Sequence, residues 1–294
     1  MNASFIDEKS RLSQKARWNE KMERARSFAA IALVAMVALG LGGCDKLKAR
    51  DFLVKGVQAY KAGQTDAAIE DFKQARELDP SLLMAQVYLA VAYQGQFIPG
   101  APSEENQRNG QQAIAEFQKV LQVDPKNLTA IDGMGSLLFS MAKTPYSPDK
   151  FVESRQYWQR HISVKPDDAE PYYWVGLIDW TLAYLDNNEL RSQYNHANPK
   201  KQVHDEQALP ASLRDEFSSK MMATVTEGME YLKKATERKP DYDDAMAYLA
   251  LLDLQRADMA TSQEERDSYT KQWSDLMEQV KQIKQKKAAA QPAT

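Results

Sequence analysis

Cysteine is nearly missing from this chain: one residue in 294, Cys44, accompanied by only three histidines. A disulfide within the chain is excluded, and so is a zinc site built from cysteines. Twelve glycines and twelve prolines leave little material for tight turns, which fits a helical chain. No excess of basic charge exists. The 38 basic and 41 acidic residues give a net charge of −3, without the electrostatic footprint of a nucleic-acid binder. P-loop, G-x-S-x-G, H-E-x-x-H and dinucleotide glycine fingerprints are all absent, which argues against an enzyme. Long hydrophobic runs are lacking too. The strongest, Phe28–Leu41, is about 14 residues, short of the roughly 20 that cross a bilayer as a helix. What is present, 43% apolar and 27% charged residues, is the composition of a folded globular chain.

The short apolar run reads as an address. Arg24 and Arg26 precede it, and it ends in Leu41-Gly42-Gly43-Cys44. This pattern resembles the bacterial lipoprotein signal, in which small residues let the backbone enter a peptidase and the cysteine thiol becomes a thioether to diacylglycerol. The resemblance implies a signal peptide over 1–43, lipidation of Cys44, and a lipidated tether over 44–48. It implies a place in the bacterial cell envelope, anchored to the inner or outer membrane and facing the periplasm. Met22 is a possible true start, because MERARS and the run behind it form a conventional signal peptide. With Cys44 used by lipid, no thiol nucleophile is left.

Four segments share one pattern: AIEDFKQARELDP (68–80), AIAEFQKVLQVDP (113–125), SRQYWQRHISVKP (154–166) and GMEYLKKATERKP (228–240). Each opens on a small residue, places a bulky apolar residue four later (Phe72, Phe117, Trp158, Leu232), and ends in proline eight after that. Proline lacks the amide donor and stops a helix. Ahead of each segment lies a first-helix pattern, such as Phe52, Gly56, Tyr60 and Gly63 in the first unit. The pairs resemble tetratricopeptide repeats (TPR). The resemblance implies an all-α solenoid of about four to five TPR-like helix pairs over 49–280, each hiding its apolar face against its neighbours. His161 stands where the third pair normally has a small residue, so looser or adjusted packing is expected there. The lysine-rich end, 281–294, reads as a disordered basic tail.

Three insertions interrupt the period, near 95–110, 143–150 and 182–222. Insertions in repeat proteins fall in loops on one face, often the binding face. The longest reads as helical decoration or as a partner-binding loop, and it could occupy the groove itself. His196 and His204 within it are eight residues apart, too sparse for a metal site, and no cofactor is indicated.

First helices line the concave face of the TPR fold. Carrying that pattern over places Tyr60, Lys61, Gln94, Phe139, Tyr173, Trp180 and Tyr184 as candidate partner-binding residues. Aromatic side chains supply large contact area at low rotamer cost. The basic-residue and asparagine clamp that some of these proteins use for a terminal carboxylate is missing, since the relevant positions read Leu53, Val87, Asp132, Tyr173 and Ala247. The expectation is a membrane-anchored interaction scaffold or adaptor that binds envelope proteins through a groove, with no nucleic-acid partner. The alternative is a ligand-capturing accessory lipoprotein of a transporter. A deep closed cavity would favour the latter and an open aromatic groove the former.

Overall fold

The computed structural model describes Trp18, Met22, residues 44–204 and residues 207–290. The rest of the expected signal peptide over 1–43 and the last four residues of the expected tail lie outside the described residues. The chain divides into two compact units, one up to Leu89 and one from Ala90 onward.

In the first unit, α1 (44–61) and α2 (Thr65–Leu78) form a helical hairpin, and the next helix, α3 (Leu83–Gln96), begins. Gly63, in the turn between α1 and α2, has φ +75°, a left-handed conformation that a side chain disfavours. Phe72 is fully buried, facing Gly56 of α1 and stacking on Tyr88 with ring centroids 5.5 Å apart. The residues expected to be a tether, 44–48, are already helical.

The second unit continues α3 and adds α4 (Glu104–Val123), α5 (Leu128–Lys143), α6 (Pro148–Val164), α7 (Glu170–Ala197), α8 (Ala211–Arg238), α9 (Asp243–Met259) and α10 (Gln263–Ala290). From α4 on, each helix packs on its neighbours in sequence, and α7 also touches α9. No β-strand is present among the described residues, only an isolated bridge between Lys143 and Tyr146. The fold is an all-α solenoid of the TPR type.

The four prolines act as their position predicts. Helices α2, α4, α6 and α8 end at Leu78, Val123, Val164 and Arg238, each two residues before its proline. The residue between donates its amide back to a carbonyl four earlier, for example Asp124 N to Val120 O at 2.8 Å. Side chains cap three of the starts among the described residues: Ser103 Oγ accepts from Asn106 N, Asn127 Oδ1 from Ala130 N, and Ser262 Oγ from Glu265 N, each satisfying a first-turn amide.

The bulky residue of each second helix sits against a glycine of a first helix. A Cβ on Gly133 would lie 2.3 Å from Phe117, and one on Gly176 would lie 2.4 Å from Leu232 and 3.0 Å from the Gly228 carbonyl. The backbone at Gly228 cannot retreat as a side chain can. Gly176→Ala therefore destabilises by about 1–3 kcal/mol, the usual cost of overpacking, despite alanine's better helix propensity. A urea melt of the variant that matches the parent would refute this close approach.

One expectation is corrected. Residues 281–290 are not a disordered tail but the last turns of α10. Val280 is buried, Lys287 Nζ pairs with Asp243 at 2.6 Å, and the lysine, glutamine and alanine residues there are good helix formers. At His161 the packing is adjusted rather than loosened. It is buried, its Nδ1 lies 2.5 Å from Asp132 Oδ1, and its ring is 6.4 Å from that of Trp158.

Candidate partner-binding cleft

Three first helices of the second unit, α5, α7 and α9, each contribute aromatic side chains to one connected cluster. Phe139 meets Trp174 edge-on at 5.4 Å, and Trp174 contacts Tyr173 at 5.8 Å. Tyr173 meets Tyr248 at 5.9 Å, Tyr248 meets Trp180 at 5.0 Å, and Trp180 stacks on Tyr184 at 5.0 Å. Such offset and edge-on pairs are favourable beyond the area they bury. The cluster runs from the buried interior at Phe139 to the surface at Tyr184, which is 42% exposed.

The exposed end opens into a cleft of about 830 Å³. Its walls are Phe139 and Lys143 of α5, Tyr146 and Pro148 from the turn into α6, and Leu177 to Glu189 along one side of α7. Lys220 of α8 and Tyr248 of α9 complete it. The longest insertion builds part of these walls rather than filling the space. It lengthens α7 and α8 to 28 residues each, against 14 for α2 and α3, and so carries Tyr184, Asp186, Glu189 and Lys220 to the cleft.

The walls combine apolar faces with a few polar groups. Lys143 Nζ stands 4.3 Å from the centre of the Phe139 ring, in cation–π range. Lys220 pairs with Asp186, whose side chain is only 8% exposed, and that hydrogen bond raises the lysine's pKa. Burial, then the nearby Asp186 carboxylate, raises the Tyr146 phenol above its ordinary value. Two buried polar atoms in the walls, Trp180 Nε1 and Asp186 Oδ2, have no hydrogen-bond partner among the described residues. Buried polar atoms are ordinarily paired, because leaving one unpaired costs about 1–3 kcal/mol.

Of the residues expected from sequence, Phe139, Trp180 and Tyr184 come together in this cleft. Tyr173 lies behind it, half-buried against Tyr242 at 5.1 Å and Tyr248, with its phenol pKa raised by burial. Gln94 belongs to a separate depression of about 360 Å³ with Asp132, Ser136, Trp158 and Trp174, where its Nε2 donates to Ser136 Oγ at 2.9 Å. Tyr60 and Lys61 belong to the first unit. Sequence reasoning missed Tyr248, which follows directly on Ala247, the position that the repeat projected. It also missed Lys143, Tyr146, Asp186 and Lys220, which lie in or beside insertions where the repeat offers no register.

The first of the shorter insertions is held by side-chain hydrogen bonds. Asn106 donates to Ile98 O at 2.8 Å and Ala101 O at 2.9 Å while its Oδ1 accepts from Ile98 N, which ties the 97–103 loop to the start of α4. In the long insertion, the loop after α7 is held by Arg191, which donates to His204 O at 2.9 Å and to Gln207 O.

No protein-family model matches the chain. Among curated proteins, it is 27% identical over 161 residues to the type IV pilus assembly protein PilF of Pseudomonas aeruginosa, a match covering 50% of this chain. The chain spans 58% of that relative's length. Among solved structures, it resembles MamA (residues 41 to the end) from Desulfovibrio magneticus RS-1, with a TM-score of 0.50 at 14% identity, covering 79% of this chain and 94% of that one. A second MamA structure aligns with a TM-score of 0.52 at 17% identity, covering 84% and 97%. At these identities the structural likeness speaks to the solenoid fold.

Proposed function

We propose that the chain is a non-catalytic interaction scaffold of the bacterial envelope, tethered through lipid on Cys44, that seats a partner protein in the α5–α7–α9 cleft. The observation that carries the binding reading is the aromatic cluster with its outer member, Tyr184, exposed beside a cleft. Exposed aromatic side chains next to a pocket are the usual anchors of protein interfaces. The leader and its cysteine support the anchor. Likeness over half the chain to a pilus assembly protein supports an envelope machine as the partner. No helix among the described residues is long and apolar enough to cross a membrane, so attachment on this reading falls to the lipid.

Tyr184→Ala tests the cleft. Because the ring is 42% exposed, the variant keeps its stability within about 1 kcal/mol. As an anchor, its loss weakens partner binding by about 30-fold, the size expected of an interface hot spot. A photo-crosslinker at 184 captures the partner in intact cells, whereas one at the exposed Val123 of α4 does not. Equal capture at both positions refutes the cleft as the docking site. For the anchor, palmitate labels the parent and not Cys44→Ser; equal labelling ends that part of the reading.

A further inference from the structure

Building on the reading of Cys44 as the lipid-bearing residue, we propose that the outward face of α1 lies on the surface of an anionic phospholipid bilayer. The first helix then runs along the membrane from its acylated end instead of standing away from it.

Three observations meet on this helix. The first is continuity. Cys44 is itself within α1, so on the lipoprotein reading no slack chain separates the fatty chains from the helix. The second is the face left open. Ala49 and Gly56 of α1 are buried, whereas Cys44, Leu47 and Val54 are exposed, Leu47 by 63% and Val54 by 55%. At 3.6 residues per turn, Cys44, Leu47 and Val54 fall within about 80° of one another, roughly opposite Ala49 and Gly56. Two bulky apolar side chains thus stand in solvent on the same side of the helix as the cysteine. The third is charge. α1 holds Lys46, Lys48, Arg50, Lys55 and Lys61 against Asp45 and Asp51, in a chain whose whole charge is −3. α2 has the opposite sign, with Asp66, Glu70, Asp71 and Glu77 against Lys73 and Arg76. Lys46 and Arg50 are close enough to Asp79 to attract its carboxylate, but Lys48 and Lys55 are exposed and border the apolar strip. Asp51 is the one acidic residue inside the strip, three after Lys48 and four before Lys55, within reach of both. A basic amphipathic face suits an anionic headgroup layer: ammonium groups meet phosphates while apolar side chains enter the acyl boundary. So few side chains hold weakly alone. The fatty chains keep this face at the bilayer, so the contact sets the direction of the helix rather than the affinity.

The test uses the full-length chain, lipidated in bacteria and reconstituted into vesicles. Cys44 is the only cysteine and is acylated on this reading, so a cysteine introduced elsewhere is the single free thiol for a nitroxide spin label. Labels are placed by Leu47→Cys, Val54→Cys and, as the reference, Glu77→Cys on α2; all three positions are exposed, so the fold is kept. Position 54 decides. It lies ten residues, about 15 Å, beyond Cys44 along the helix, clear of the bilayer if α1 stands upright. In vesicles of phosphatidylethanolamine and phosphatidylglycerol, labels at 47 and 54 gain collisions with oxygen and lose collisions with a water-soluble nickel chelate, while 77 keeps the values of a label in water. Lys48→Glu together with Lys55→Glu returns 54 to the values at 77, since each lysine lost from such a surface lowers the occupancy of the flat orientation about fivefold. Vesicles of phosphatidylcholine alone do the same to the unsubstituted helix. Water values at 54 on phosphatidylglycerol, or equal immersion with phosphatidylcholine or with both glutamates, overturn this assignment; if the parent takes up no label, the lipid anchor still stands. A parent that takes up label at Cys44 removes the anchor, and this assignment with it. Immersion at 54 in native envelope membranes but not in vesicles marks a protein on this face and overturns it too.

Discussion

Arg191→Ala lowers the stability of the second unit by about 3–5 kcal/mol, the cost of removing one partner from a buried ion pair. Arg191 is 5% exposed, and its Nη2 lies 2.8 Å from Asp258 Oδ2 of α9. Its Nε donates to Asn187 Oδ1 at 3.0 Å, and Asn187 Nδ2 in turn donates to Gln255 Oε1 at 3.0 Å and to Asp258 Oδ2 at 2.9 Å. Arg266 of α10 closes the network on Asp258 Oδ1 at 3.1 Å. Alanine would leave Asn187 and the carbonyls of His204 and Gln207 short of a donor, and Asp258 would keep only Arg266 of its two cations. In urea the midpoint falls accordingly, and hydrogen exchange rises first in residues 198–204 and 207–210. A loss below about 1 kcal/mol would mean that the network is solvated and contributes as little as a surface pair. The cleft shares this dependence, since the part of α7 that the network pins also carries Tyr184 and Asp186.

This network explains where sequence reasoning stopped. The proline-terminated segments were legible because each signal is local. Phe72, Phe117, Trp158 and Leu232 sit eight residues from their prolines, so little more than two helix turns span both. The stretch after Leu182 is different. Asp186, Asn187 and Asn188 are weak helix formers, yet they are helical, because Asn187 and Arg191 find partners on α9 some 70 residues away. What His161 packs on was illegible for the same reason: its partner Asp132 lies on another helix, 29 residues back. At the cleft, Phe139, Trp180 and Tyr184 were readable from the repeat's register. The Asp186–Lys220 pair was not, since a period counts inserted residues without saying how they fold. Within α10, the tail's lysines suggested solvation, but the buried Val280 and the Lys287–Asp243 pair extend the helix to Ala290.

Asp253 costs stability at neutral pH, the cost disappears as the pH is lowered from about 6 toward 4, and Asp253→Asn removes this dependence. Asp253 of α9 is 2% exposed, and its Oδ1 has no hydrogen-bond partner among the described residues. Burial pushes its pKa up to about 6 from 3.8, with Lys233 and Arg256 offsetting part of the effect. The sign follows from proton linkage. Between the two values the folded chain holds the proton that the unfolded chain has lost, so raising the pH draws stability away. Above pH 6 the buried carboxylate is charged and the full penalty is present; below about pH 4 both states are protonated and it vanishes. The shift corresponds to a penalty of about 2–3 kcal/mol at neutral pH. Asparagine keeps the shape without the charge, so the variant is more stable than the parent by up to that amount at pH 7.5 and nearly equal to it at pH 4. Subtracting the two curves of unfolding free energy against pH isolates this one group from every other titrating side chain. A difference that stays flat across the range would show that Asp253 is neutralised by a partner in solution. The same residue would then be a stabilising contact, and asparagine would cost stability at neutral pH instead of adding to it.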